Sequence, residues 1–140
     1  MRDITTAIRE VDKKHLLIIE GNGWGNNYNA ILPPWDNNMA LSFHKYWNKN
    51  DLNSIQAILN KREQYKVPVW LGETGENSNV WFSEAIHLLE SNNIGWAWWP
   101  LKKMGFNNPL EVKQMMVIIN YSITGMAAEQ SQLKRVLTVL

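Results

Sequence analysis

The chain has 140 residues, the size of one ordinary domain, and a net charge of +1, which points to neither nucleic acid nor an anionic membrane as partner. It has no cysteine, so disulfides and thiolate metal sites are excluded. No apolar stretch is long enough for a membrane span, and the first residues lack the apolar core of a signal peptide.

Residues 3–13 carry Ile4, Ala7, Ile8 and Val11 at helical spacing, with charges between them. Residues 15–20 are an apolar run closed by Gly21-Asn22-Gly23, which reads as a buried strand. Residues 22–38, rich in asparagine and holding Pro33-Pro34, read as a long loop of the kind that carries function. Residues 39–44 read as a second strand. A helix is expected over 51–65, capped by Asp51 or Asn50, with Leu52, Ile55, Ile58 and Leu59 as its apolar stripe.

The third strand is expected at 67–72, with Pro68 at its start and Glu73 following on a glycine-flanked turn. Ser78 caps a helix over 79–92, and residues 94–99 form the fourth strand, ended by Pro100. Continuous apolar strands alternating with helices mean parallel βα units. Residues 112–121 read as helical, and 129–140 as a last amphipathic helix.

The strand ends collect polar groups: Glu20, Asn22 and Trp24 after the first, His44 and Tyr46 after the second, Glu73 after the third, Trp99 at the fourth with Lys102 and Lys103 beyond. This is where parallel α/β folds keep their chemistry. Period-2 alternation groups Val69, Leu71 and Glu73 on one face, Ser42, His44 and Tyr46 on another, and Ala97 with Trp99. Turned inward, these faces converge Glu73, His44, Tyr46 and Trp99 on one mouth. Tryptophan is the compositional outlier at eight residues. Flat rings beside amide side chains suit a neutral sugar, whereas the structural alternative is a Trp-rich core with Asn-rich turns.

With these motifs in order, the sequence resembles the C-terminal half of a family 5 glycoside hydrolase, a cellulase-type (β/α)8 barrel of clan A. The matching segments are residues 15–25 (HLLIIEGNGWG) as the fifth barrel strand, 44–46 (HKY) after the sixth, 69–75 (VWLGETG) as the seventh, and 95–103 (GWAWWPLKK) as the eighth. The resemblance implies an α/β fold, residues 1–140 forming part of a TIM-barrel catalytic domain with strands 5–8 and their helices. It implies an endoglucanase-like O-glycosyl hydrolase of retaining mechanism acting on a β-glucan or related polysaccharide, with no cofactor and no metal. Glu73 would be the nucleophile. Tyr46 would bond it, His44 would contact sugar hydroxyls, and Trp99 would be the sugar platform. Trp24 and Asn22 would line the cleft, and Glu20 would be a structural acid. The parent enzyme would be extracellular or periplasmic.

A retaining glycosidase needs a second carboxylate about 5–5.5 Å from the first. In this family it follows an asparagine, and the chain has no Asn-Glu dipeptide. The resemblance therefore implies that the first four βα units and the acid/base are missing, with Glu20 and Glu76 as the substitutes on hand. The alternatives are a non-catalytic sugar-binding protein and a half-barrel structural protein. Open barrel edges should favour self-association.

Overall fold

In a computed structural model, the described part of the chain comprises residues 1–99 and the backbone of residues 102–104 and 110–112. Helix α1 (Arg2–Val11) is followed by β1 (Leu17–Glu20), the short α2 (Asn22–Gly25) and β2 (Met39–His44). Then come α3 (Leu52–Tyr65), β3 (Val69–Thr74), α4 (Asn79–Ser91) and β4 (Gly95–Trp98). Strands β5 (Lys102–Met104) and β6 (Leu110–Val112) pair with each other in parallel, so Lys102 and Lys103 belong to a strand separate from β4. The expected helices over 112–121 and 129–140 lie outside the described residues, apart from Val112, which ends β6.

Strands β1 to β4 form one parallel sheet in the order β1-β2-β3-β4. Four neighbouring parallel strands in chain order, joined by α3 and α4, are consistent with half of a (β/α)8 barrel. Both main helices start as the side chains dictate. The Asp51 carboxylate accepts from the Ser54 N–H, and the Ser78 hydroxyl accepts from that of Trp81. Lys66 ends α3 in the left-handed conformation.

One face of the sheet holds the core. Ile19, Met39, Leu41, Phe43, Val69 and Leu71 pack with Ile55, Ile58 and Leu59 of α3 and Leu89 of α4. Leu52, expected in the α3 stripe, is half exposed, because it stands in the first turn, clear of the sheet. The opposite face carries Ile18, Glu20, Ala40, Ser42, Trp70 and Gly72, which alternate with the core residues along their strands. In a closed barrel that face is the interior.

The β1–β2 connection is not a full helix. Tyr28 and Ile31 turn inward and join the core, and the Tyr28 hydroxyl bonds the carbonyls of Gly25 and Ser42. Arg9 on α1 clamps the same connection by two parallel bonds to Asp36, at 2.8 and 3.0 Å.

Candidate active site

The pairing of β3 changes register along its length. Phe43 lies opposite Leu71, yet the next residue, His44, lies opposite Glu73. On the other side Leu71 faces Trp96, whereas Thr74 faces Trp98. One extra residue is inserted in β3 after Leu71, which is a β-bulge. This corrects the alternation read from the sequence. Val69 and Leu71 face the helices, and the bulge moves Glu73 to the opposite, barrel-side face with His44. Gly72 occupies the bulge because nothing larger fits. A Cβ there would overlap Ser42 Oγ and stand 3.2 Å from Trp70 Nε1.

The bulge makes Glu73 the centre of a polar cluster. Tyr46 donates its hydroxyl to Glu73 Oε1 at 2.5 Å. His44 Nε2 lies 3.3 Å from Glu73 Oε2 and also meets Glu20 Oε1. Ser42 Oγ is 3.5 Å from that same Glu20 oxygen. Burial, then the bond to Glu73, pushes the Tyr46 phenol above the ordinary tyrosine range, with Glu76 adding to the effect. Tyr46 therefore keeps its proton, and remains a donor, to higher pH than an ordinary tyrosine.

Alternation beyond the strand ends sorts the next residues. Lys45 turns to the helix side, where it is 3 % exposed. Its ammonium donates to Asn48 Oδ1 at 2.6 Å and the Lys49 carbonyl at 2.9 Å, and lies 5.0 Å from the centre of the Trp81 ring. Burial lowers its pKa to about 8.

The tryptophans at the fourth strand divide by the same rule. Trp98 meets the Phe82 ring of α4 edge-on at 4.7 Å, in the helix layer. Trp99 is 56 % exposed, and its N–H is held by the Thr74 carbonyl at 2.6 Å. Gly75 lets the two segments meet, since a Cβ there would overlap the Trp99 carbonyl.

A cavity of about 430 Å³ adjoins Glu73, and Trp24, Asn26, His44, Tyr46, Trp47 and Asn48 are among its lining residues. Trp24 is 86 % exposed and stands on a left-handed turn with Gly23. Glu73, His44, Tyr46 and Trp24 are thus brought to one place. Asn22 is not: it lines a separate cavity with Arg2, Asp3 and Glu20. Sequence reasoning missed Trp47 and the contact of Glu20 with His44. That contact follows from the β1–β2 register, which pairs Glu20 with Ser42 and so puts it on the face of His44.

A carboxylate bonded by a tyrosine and flanked by a histidine at the ends of parallel strands, with exposed indole rings around it, is an arrangement suited to a barrel-type sugar hydrolase. The chain belongs to glycosyl hydrolase family 5, whose family model, described as cellulase, matches residues 1–105. Family 5 is a family of (β/α)8-barrel glycosidases, and membership implies a carbohydrate substrate. No curated protein matches the chain.

Proposed function

We propose that the chain carries the nucleophile side of a retaining endo-β-glycanase site. Glu73 attacks the anomeric carbon of a β-linked polysaccharide and forms a glycosyl-enzyme ester, which water then hydrolyses. The observation that carries this reading is the clamp on the Glu73 carboxylate. Its Oε1 accepts from Tyr46, which orients the carboxylate before substrate arrives, and its Oε2 lies beside His44. Trp99 serves as the platform under the sugar at the cleavage point, and Trp24 flanks the cleft.

General-acid help for the leaving group contributes about 10²–10⁴-fold. No Asn-Glu dipeptide supplies it in this sequence. Glu20 is engaged with His44, and Glu76 follows Glu73 on the loop after β3, with its backbone at φ 53. In this reading residues 1–140 are part of a catalytic domain, and the acid/base comes from the βα units that would pair with β1. That edge also exposes Leu16 and Ile18, which favours self-association of the isolated chain. The parent enzyme works outside the cytoplasm, where its polymeric substrate is.

An aryl glycoside whose leaving group needs no proton separates the two roles. The isolated chain should release a burst of about one equivalent of dinitrophenolate from 2,4-dinitrophenyl β-cellobioside and no reducing sugar from carboxymethylcellulose. Binding of cellobiose without any burst would favour a sugar-binding protein instead. Hydrolysis of carboxymethylcellulose that Glu20→Gln abolishes would make Glu20 the acid.

A further inference from the structure

The two oxygens of Glu73 are not equivalent. Oε1 accepts the Tyr46 hydroxyl at 2.5 Å. Among the described residues, Oε2 has His44 beside it, with Nε2 3.3 Å away, and that nitrogen is nearer to Glu20 Oε1. A ring nitrogen carries at most one proton. Two carboxylates therefore compete for it, and the geometry favours Glu20.

Glu20 is held in place for this contact. Ser42 Oγ is 3.5 Å from its Oε1. The β1–β2 connection folds back over the pair through the Asn22–Asn27 bridge, with bonds of 2.9 and 2.8 Å. At its tip Gly25 adopts φ +77, and a Cβ there would stand 2.9 Å from Glu20 Oε1 and 3.1 Å from His44 Cδ2. Tyr28 anchors the Gly25 carbonyl at 2.6 Å and also bonds the carbonyl of Ser42. Glycine, in a conformation other residues rarely adopt, lets the backbone close against these two side chains.

We infer that Glu20 is a positioning residue for His44: it accepts the hydrogen bond from Nε2–H and so leaves Glu73 Oε2 as the oxygen that attacks. An N–H directed at Oε2 would occupy the lone pair that must reach the anomeric carbon. In the attack the bond from Oε2 to the anomeric carbon forms, and the bond from that carbon to the leaving oxygen breaks. The leaving group departs with the electron pair. The inference rests on Glu73 as nucleophile, but the hold of Glu20 on His44 does not.

The test uses the full chain with ¹⁵N-labelled histidine, and long-range ¹H–¹⁵N spectra that report which ring nitrogen of His44 is protonated. Wild type and Glu20→Gln, which keeps an acceptor oxygen, should both show the proton on Nε2 and similar shifts. Glu20→Leu, and Glu20→Asp with its withdrawn oxygen, should move both nitrogen signals. The dinitrophenolate burst from 2,4-dinitrophenyl β-cellobioside should slow about 10-fold or more in Glu20→Leu and Glu20→Asp. It should change less than about 3-fold in Glu20→Gln, with the concentration dependence little altered in all three. Unchanged His44 signals in a folded Glu20→Leu or Glu20→Asp variant would overturn the inference. So would shifted signals with an unchanged burst rate. If wild type gives no burst, the nucleophile reading fails, while the ring spectra still decide whether Glu20 holds His44.

Discussion

The Tyr46 hydroxyl and Glu73 Oε1 are joined at 2.5 Å although 27 residues separate them in sequence. The bond spans the ends of two neighbouring strands and exists only because the β3 bulge turns Glu73 toward it. A hydrogen bond to a charged group is worth about 1.5–3 kcal/mol, or about 10–100-fold in rate if it persists to the transition state. Tyr46→Phe should slow the glycosylation step by that amount, measured as the burst rate on an activated aryl glycoside. The pH sign follows from the raised Tyr46 pKa. Folded protein keeps the phenol proton that the unfolded chain gives up near pH 10. The stability this group contributes is full below that pH and declines above it.

The bulge itself can be tested at Gly72 and Ser42. Gly72→Ala puts a methyl group against Ser42 Oγ and should cost about 1–3 kcal/mol in denaturant unfolding. Ser42→Ala removes the obstructing atom. The double variant should therefore be more stable than the sum of the single effects, by at least about 0.5 kcal/mol. Strict additivity would mean that the two positions do not meet.

Trp98 and Trp99 are neighbours with opposite expected behaviour. Trp98 packs between Phe82 and Trp96, with ring centres at 4.7 and 5.0 Å. Trp98→Ala should therefore lower stability by about 3 kcal/mol. Trp99→Ala should leave the unfolding midpoint nearly unchanged and weaken binding of cello-oligosaccharides in calorimetry. A reversal of the two results would exchange their places in the account.

Lys45 predicts an alkaline gain in stability. Burial lowers its folded pKa to about 8, while the unfolded chain keeps the ordinary lysine value. Between these values the unfolded state binds more protons, so stability rises with pH. The penalty of the buried charge is complete below pH 8 and is relieved as pH climbs toward 10, by up to about 3 kcal/mol. Urea unfolding of wild type at pH 7 and pH 9.5 should show the rise, and Lys45→Met should flatten it. Tyr46 opposes this trend only above about pH 10.

Much of this fold is readable from residues alone, for local reasons. The run 39–44 is β2 to the residue, because it is a mostly apolar run bounded by Asn38 and Lys45. Asp51 and Ser78 start their helices because each can accept a backbone N–H one turn ahead. Glu73 stood out as a carboxylate at a buried strand end. Its direction did not, because a period-2 reading has no means to register a bulge. That reading groups Val69 and Leu71 with it, whereas both face the helices. The resemblance makes Glu20 a structural acid, and its contact with His44 is not legible in the residues, because it depends on the β1–β2 register and on Gly25 closing over both side chains. Asn22 was grouped with Trp24 by proximity in sequence, yet the left-handed turn at Gly23 and Trp24 sends the two to different cavities.

The central claim is that Glu73 attacks the sugar. It is tested most directly by trapping the ester with 2,4-dinitrophenyl 2-deoxy-2-fluoro-β-cellobioside, whose leaving group needs no acid and whose fluorine slows hydrolysis of the adduct. Mass spectrometry of the digested chain should find one sugar increment, on the peptide that carries Glu73, and none in Glu73→Gln. An adduct on Glu20 or Glu76, or a folded wild-type chain that forms none, would contradict the account.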